Sequence, residues 1–316
     1  MVRPAPRVVA IGDAIVDFVT PPMAFFPAGD FQAEVHRFDA LPGGNATNFA
    51  LAIATLGAAT TFVGAVGVDA NARLLRAAYR RHGVRAILQQ DGRRPTGATM
   101  ALTWTGGGRT LVTALGANAF LRQEHVPDRI LRSAHHVHRA GFWWATNLIG
   151  RPSASILARA RRFGASTSLD VSTDPRGWSP DRVRAVRACL PYLDMFFGNE
   201  TEVCAIAGIR RPLQAARRLR ALGALEVVVH QGDRGATAVT QSNRIRSQPF
   251  GVSIDNPTGC GDVFNAAYVY SRLTEGSIPE SLRLANAAAA MHLRDRRHLY
   301  PSLTDVRRLL REFGRP

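Results

Sequence analysis

The chain has 316 residues, of which 46% are hydrophobic and 20% are charged, as expected of a globular protein with a large core. Its 40 basic residues exceed its 24 acidic residues, giving a net charge of +16, and all 40 basic residues are arginine. A sequence without lysine excludes a Walker A loop, a protein-kinase ATP site and Schiff-base catalysis, because each requires a lysine side chain.

The three cysteines are Cys189, Cys204 and Cys260. Their odd number and their spacing argue against a disulfide framework or a zinc site, so we expect free thiols. The first residues lead directly into a strand-like run that is too short for a signal peptide, and no apolar run reaches transmembrane length. We therefore expect a cytoplasmic protein that does not contact a membrane.

The arginines occur as scattered singles and pairs on helix-like segments and do not form a long basic block. This distribution favours solvated helix faces over a surface for nucleic acid, so no nucleic-acid partner is expected. DNA or RNA binding is an alternative that rests on charge alone. The positive excess is also suited to steering an anionic substrate into a cleft.

Two acidic residues lie near the first predicted strands. Residues 8–11 and 15–19 are predicted to form a strand pair, with Asp13 between them and Asp17 inside the second strand. Because side chains alternate along an extended segment, these two carboxylates face the same side. They indicate either a ligand site or an ordinary turn beside a strand edge.

Gly43, Gly44 and Asn48 precede a predicted helix of small residues that begins at Phe49 and stops at Gly57. Two glycines before a helix permit close backbone approach by a ligand. A tight turn with asparagine capping explains the same pattern.

Strand-like and helix-like segments alternate from residue 60 to residue 230, which predicts a mostly parallel sheet with helices on both faces. Residues 97–105 and 109–115 interrupt this order as a predicted hairpin. Together with a short strand predicted at residues 33–38, they are expected to form a small separate sheet. Such a sheet is suited to act as a lid over a cleft.

Polar residues and glycines follow two of the predicted strands. Asn199 and Glu202 come directly after an apolar strand, at the edge where ligands bind in open α/β sheets. A helix cap is the alternative interpretation of this pair. Gly232, Asp233 and Gly235 follow the next strand, either as a ligand-binding loop or as a hairpin turn.

Residues 255–264 are the most informative stretch, because a glycine-rich loop turns there into an apolar helix. Gly259 and Gly261 allow consecutive N–H groups, including that of Cys260, to converge at a helix N-terminus, where the dipole favours phosphate. Asp262 enters the first helical turn, either as a catalytic carboxylate or as an ordinary helix-start residue.

Two further patterns have a structural explanation beside the functional one. Asn286 lies in a predicted helix with a face of small residues, which suits either close helix packing or a flat nucleotide base. His136 and His138 share one strand face but lack a third metal ligand, which favours core or edge histidines.

In this order the motifs resemble the ribokinase-like, or PfkB-type, carbohydrate kinase family over about residues 8–292. The resemblance rests on Gly12-Asp13 with Asp17, Gly43-Gly44-x-x-x-Asn48, Asn199-x-x-Glu202, Gly232-x-x-Gly235, Gly259-x-Gly261-Asp262 and the late Asn286 helix. It implies one ribokinase-like α/β domain over residues 1–316, a doubly wound and mostly parallel sheet flanked by helices. Residues 14–40 and 95–115 would form the β-sheet lid. Dimerisation of two copies of the chain through this lid is a possibility that the sequence does not decide.

The resemblance also implies the chemistry, the transfer of the ATP γ-phosphoryl group to a hydroxymethyl group of a sugar or nucleoside. Asp262 would be the general base, and the backbone of Gly259, Cys260 and Gly261 would form the anion hole. The remaining motif residues would bind the acceptor (Asp13, Asp17, Gly43, Gly44, Asn48), the nucleotide (Asn199, Gly232, Asp233, Gly235, Asn286) and Mg²⁺ (Asn199, Glu202).

The chain departs from the family pattern in three respects. Asn256 replaces an aspartate that helps form a monovalent-cation site in many members, so activation by K⁺ stays open. His230 and Gln231 stand where threonine or lysine is commoner. Cys260 replaces an alanine, and because a helix N-terminus lowers the pKa of a thiol, we expect thiol reagents to inhibit the enzyme unless ATP protects it.

The remaining alternatives differ in the acceptor, which is either a sugar or a nucleoside. Asn45 and Thr47, beside Asn48, suit a hydroxyl-rich ligand and favour a sugar. Aromatic residues in the lid region could instead stack on the base of a nucleoside: Phe25, Phe26, Phe31, Phe38 and Trp104. A noncatalytic ligand sensor on the same fold is a third alternative, against which the intact Asp262 argues.

Overall fold

A computed structural model of the chain describes residues 4–24, 29–30, 32–105, 108–255, 257–295 and 298–313. The strands are β1 Arg7–Ile11, β2 Ile15–Val19, β3 Asp39–Gly43, β4 Ala59–Val66, β5 Arg85–Gln90, β6 Gly97–Thr103, β7 Arg109–Ala114, β8 His136–Arg139, β9 Ser166–Asp170, β10 Met195–Asn199, β11 Glu226–His230, β12 Ala236–Val239 and β13 Arg244–Ser247. The helices are α1 Asn45–Thr55, α2 Ala70–Arg81, α3 Asp128–Arg132, α4 Arg151–Arg162, α5 Pro180–Arg187, α6 Glu200–Ala207, α7 Pro212–Ala221, α8 Cys260–Leu273, α9 Ile278–Arg294 and α10 Leu303–Glu312.

The larger sheet has nine strands within the described ranges, in the order β13-β12-β11-β10-β9-β8-β1-β4-β5. Its pairs from β5 to β11 are parallel, whereas β12 and β13 are attached antiparallel at one edge. The predicted mostly parallel sheet is therefore confirmed.

Both faces of this sheet are covered, because alternate residues of each strand point to opposite sides. Val8 and Phe197 pack with helices α1, α2, α8, α9 and α10 on one face. Val9, on the other face, packs with α3 and α4, and Phe196 packs with α4 to α7. Helices on both faces make the fold doubly wound, as predicted.

A smaller sheet has the order β3-β2-β6-β7 and forms the predicted lid. The hairpin of β6 and β7 is confirmed. The predicted pairing of β1 with β2 is wrong, because β4 and β8 occupy the two edges of β1 and β2 continues into the lid. The strand predicted at residues 33–38 is also wrong, since β2 pairs instead with Asp39–Gly43, which brings Gly43 opposite Ile15.

His136 and His138 lie fully buried in β8, as predicted for core histidines. Their ring nitrogens contact the hydroxyl groups of Ser166 and Ser168 on the neighbouring strand at 2.7 to 2.8 Å. No helix in the described part of the chain is long and apolar enough to cross a membrane.

Candidate active site

Asp262 lies in the first turn of α8, with 3% of its surface exposed, and faces the first turn of α1. Its Oδ1 accepts a hydrogen bond of 3.1 Å from Asn45 Nδ2, and its Oδ2 accepts one of 3.1 Å from Asn48 Nδ2. Burial raises the pKa of Asp262 well above its usual value, the charge of Asp170 adds to this, and the two amides oppose it. The carboxyl group is thus held in place by two donors.

The loop before α8 contains the glycines that were predicted to form a cradle of backbone N–H groups. Gly259 is the N-cap of α8 with φ of +86°, in the left-handed region that favours glycine. A Cβ atom there would lie 2.9 Å from Asn48 Nδ2, so a side chain would disturb the amide that binds Asp262. Because glycine offers no side-chain cap, the first N–H groups of α8 remain suited to an anion.

Cys260 lies beside this cradle, but its chemistry differs from the prediction. Burial raises the pKa of its thiol to about 12, and the charge of Asp262 acts in the same direction. The predicted lowering by the helix N-terminus is therefore wrong, because desolvation and a neighbouring carboxylate outweigh the dipole. A thiol with this pKa is a weak nucleophile at neutral pH.

Asp17 in β2 lies on the lid side of the site with 7% of its surface exposed. Burial and the charge of Asp13 raise its pKa to about 7, whereas the Thr99 hydroxyl lowers it. A Cβ atom at Gly43 would lie 2.2 Å from Asp17 Oδ2, so only glycine leaves this carboxyl group in place. With Asn48, Asp17 lines a small cavity next to Thr258 and His292.

Asp13 is fully buried beneath α1. Its Oδ1 accepts the N–H of Ala46 at 2.8 Å, and its Oδ2 accepts the N–H of Asn45 at 3.1 Å. Gly44, the N-cap of α1, adopts φ of +90° directly above it. Both carboxylate oxygens thus fix the helix that carries Asn45 and Asn48, and direct binding of an acceptor by Asp13 stays a prediction.

The residues predicted to bind the nucleotide converge on one cavity of about 530 Å³ beside the cradle. The predicted residues among its lining are Asn199, Gly232, Asp233, Gly235, Asn286, Cys260 and Gly261. Asn286 Nδ2 donates to the carbonyl oxygens of Ser247 and Gln248 at 3.3 and 3.0 Å, which ties α9 to the segment after β13. A larger cavity of about 1120 Å³ beside α10 contains none of the predicted site residues.

Asn199 and Glu202 form the capping box that was their alternative interpretation. Asn199 Oδ1 accepts the N–H of Glu202 at 2.9 Å, and Glu202 Oε2 accepts the N–H of Asn199 at 2.8 Å. The hydroxyl of Thr173 donates to Glu202 Oε1 at 2.9 Å. Among the described residues, no group of three or more histidine, cysteine or acidic side chains could hold a metal directly. The predicted role of this pair toward Mg²⁺, through water, stays a prediction.

A buried polar chain links the strand ends to α8. Asn265 Nδ2 donates to Asp170 Oδ2 at 2.6 Å, and its Oδ1 lies 2.9 Å from His230 Nε2. The charge of Asp170 raises the pKa of both Asp262 and Glu202. Asp170 could have been identified from the sequence as an acidic residue at the carboxyl end of a strand. No sequence pattern identifies Asn265.

Arg109 reaches the site from the start of β7 in the lid. Its Nη1 donates to Thr258 Oγ1 at 3.0 Å, one residue before the cradle glycine. Burial lowers the pKa of its guanidinium group, and the charges of Asp17 and Asp262 raise it. The sequence motifs did not identify this arginine.

Phe38 and Trp104 are two of the aromatic residues considered for stacking. Neither lines the small cavity that Asp17 and Asn48 border. Phe38 has 54% of its surface exposed, and Trp104 Nε1 donates to Thr110 Oγ1 at 3.2 Å. Phe25, Phe26 and Phe31 lie outside the described residues, as does Asn256.

The family model described as pfkB family carbohydrate kinase matches residues 5–302. An ATP-dependent ribose-1-phosphate kinase from Halopiger xanaduensis is 27% identical over 270 residues, 84% of this chain and 84% of that protein. A nucleoside kinase from Methanothermobacter thermautotrophicus is 27% identical over 292 residues, 90% of this chain and 89% of that protein. The structure of Arabidopsis thaliana ribokinase complexed with ribose and ATP has the same fold, with a TM-score of 0.81, 23% identity and coverage of 96% of this chain and 98% of that one.

Proposed function

Because the chain belongs to the pfkB family of carbohydrate kinases, we propose that it transfers the γ-phosphoryl group of ATP to a hydroxymethyl group of a sugar. The observation that carries this proposal is the buried Asp262 in the first turn of α8, directly after the cradle glycines and bonded to the first turn of α1. Its carboxylate oxygens accept from Asn45 and Asn48, so its orientation is set before a substrate binds.

Asp262 is proposed as the general base that takes the proton of the attacking hydroxyl group. A base must be ionised to act, and it is most effective when its pKa lies near the working pH. Burial and the charge of Asp170 raise the pKa of Asp262, while the two asparagine amides stabilise its charged form. A raised pKa makes this carboxylate a stronger proton acceptor than an ordinary aspartate.

The cradle of Gly259, Cys260 and Gly261 is proposed to bind the transferred phosphoryl group through backbone N–H groups. The adjoining cavity of about 530 Å³ is proposed as the site of ATP, between the loop after β11 and helix α9. Mg²⁺ would neutralise phosphate charge. Asn199 and Glu202 are proposed to order its water ligands, and their existing hydrogen bonds fix them for this role.

A sugar is the preferred acceptor because Asp17 and Asn48 line a small cavity that we propose as the acceptor cavity, and their polar groups suit hydroxyl groups. Asp17 is proposed to accept a hydrogen bond from an acceptor hydroxyl. A nucleoside is the second candidate, supported by the likeness to the Methanothermobacter nucleoside kinase. Against it, Phe38 and Trp104 do not line the cavity where a base would stack.

A coupled assay of ADP release, with ATP and Mg²⁺ over sugars, sugar phosphates and nucleosides, tests the proposal. We expect turnover with at least one sugar or sugar derivative, and phosphorylation at its hydroxymethyl oxygen by mass spectrometry. Asp262→Asn is the matched control, because it keeps the shape of the side chain and removes the base. It should lose at least about 10² in kcat while still binding ATP in calorimetry. Preferred turnover of nucleosides would select the second candidate, and ADP release unchanged in Asp262→Asn would contradict the proposed base.

A further inference from the structure

His292 lies in the last turn of α9 with 1% of its surface exposed, and both of its ring nitrogens meet backbone carbonyl oxygens. Nε2 is 2.7 Å from the oxygen of Thr258, and Nδ1 is 2.5 Å from the oxygen of Leu299. A carbonyl oxygen can only accept, so each contact is a hydrogen bond when the nitrogen carries a proton. The ring thus bridges two loops that are far apart in the sequence.

One of these loops is the cradle itself. Thr258 directly precedes Gly259, and His292 Cε1 lies 3.6 Å from the position that a Cβ atom of Gly259 would take. The imidazole therefore lies against the cradle. Its removal would free the carbonyl group that helps set the direction of the cradle N–H groups.

The same region bears on the monovalent cation that the family resemblance implies next to residue 256. Carbonyl oxygens that converge on one point are the usual ligands of such an ion. Here the oxygens of Thr258 and Leu299 face the His292 ring, and the oxygen of Leu293 accepts the N–H of Asp255 at 2.7 Å. The Leu293 oxygen already has an N–H partner, and the oxygens of Thr258 and Leu299 both face the imidazole, so this arrangement does not fit a metal ion at the position of the ring.

We propose that His292 is a positioning residue that takes the place of a monovalent cation behind the cradle, so that the protein requires neither K⁺ nor Na⁺. The expected effect on turnover rests on the proposed function. The placement of the His292 ring between the two loops is independent of that function. The doubly protonated ring donates to both loops. Burial lowers the pKa of His292, and the hydrogen bonds to the two carbonyl groups oppose that effect. In either protonation state the ring fills the space between the two oxygens.

The test compares the wild-type protein with His292→Ala in KCl and in tetramethylammonium chloride at equal ionic strength. Melting temperature and kcat are both measured. The wild type should show the same melting temperature in both salts and values of kcat within about twofold. His292→Ala leaves a space facing two carbonyl oxygens, so K⁺ should raise its melting temperature. Its kcat should fall by about tenfold or more in tetramethylammonium and recover in part in KCl.

Two further variants separate positioning from general stability. His292→Gln retains an amide donor of similar reach, and we expect it to keep more activity than His292→Ala without responding to K⁺. His136→Ala removes another fully buried histidine, in β8, and should lower the melting temperature equally in both salts. If His292→Ala does not fold, the wild type and His292→Gln still decide the question.

Several outcomes would overturn the inference. Activation or thermal stabilisation of the wild type by K⁺ would show that a cation is bound despite His292. A defect in His292→Ala that is the same in both salts would assign the ring a purely structural role. If the wild type phosphorylates no acceptor, the proposed function fails, while the melting temperatures still confirm or contradict the replacement of the cation.

Discussion

The hydroxyl group of Tyr300 donates to Asn48 Oδ1 over 2.8 Å, and this bond decides which end of the Asn48 amide faces Asp262. With the oxygen occupied by Tyr300, the Nδ2 group points to the carboxylate. A residue 252 positions along the chain thus orients one of the two donors to the candidate base.

Tyr300→Phe removes that bond and keeps the aromatic ring, which packs edge-on against His82 with centroids 5.4 Å apart. A neutral hydrogen bond contributes about 1 kcal/mol, so we expect kcat to fall by about three- to tenfold through loss of the amide orientation. Steady-state kinetics with the acceptor identified by the screen measures this. An unchanged kcat would mean that Asn48 holds its orientation without Tyr300.

Asp170→Asn tests the electrostatic control of Asp262. Asp262 must be ionised to accept a proton, so kcat/KM should rise as pH rises through its pKa. The negative charge of Asp170 raises that pKa, and its removal should shift the acidic limb of the profile to lower pH. The variant keeps the shape of the side chain next to Asn265. A limb that moves to higher pH, or does not move, would contradict this assignment.

Arg109→Gln tests the lid arginine, with Thr258→Val as its control. We expect Arg109→Gln to lower kcat by about 10² or more, because the charge that faces Asp17 and Asp262 is lost near the transferred phosphoryl group. Thr258→Val removes the acceptor of the 3.0 Å bond while keeping the size of the side chain, and it should change kcat by less than about threefold. Equal effects of both variants would show that Arg109 acts as a latch for the lid.

Asp17→Asn tests the acceptor side. We expect a higher KM for the acceptor, by about tenfold or more, with little change in the KM for ATP, because Asp17 lines the acceptor cavity and not the nucleotide cavity. Asparagine matches the size of the side chain next to Gly43, so packing is retained. A selective rise in the KM for ATP would contradict this assignment and place Asp17 on the nucleotide side of the site.

The sequence identified the parts of the site that carry local signals. These are the cradle glycines, Asp262 and the residues after β10 and β11. Each lies in a turn or directly after a strand, and such places are determined by neighbouring residues in the chain. Asn45 meets Asp262 across 217 positions and Arg109 meets Thr258 across 149, and no local pattern encodes such contacts.

Two errors share a physical cause. Strands β1 and β2 follow each other closely in the chain, but parallel partners from distant segments occupy both edges of β1. The dipole at the start of α8 lowers the pKa of a thiol, but burial of Cys260 beside Asp262 outweighs it. In both cases the tertiary environment, which is invisible in a local pattern, overrides the local preference.

Helix α1 begins against Asp13, presents Asn45 and Asn48 to Asp262, and borders the acceptor cavity through Asn48. Under the proposed function, this one helix would serve both recognition of the acceptor and proton transfer. An ill-fitting acceptor that displaces this helix would also misalign the base. Discrimination between acceptors would then appear in the rate of the chemical step, and poor substrates would bind well yet turn over slowly.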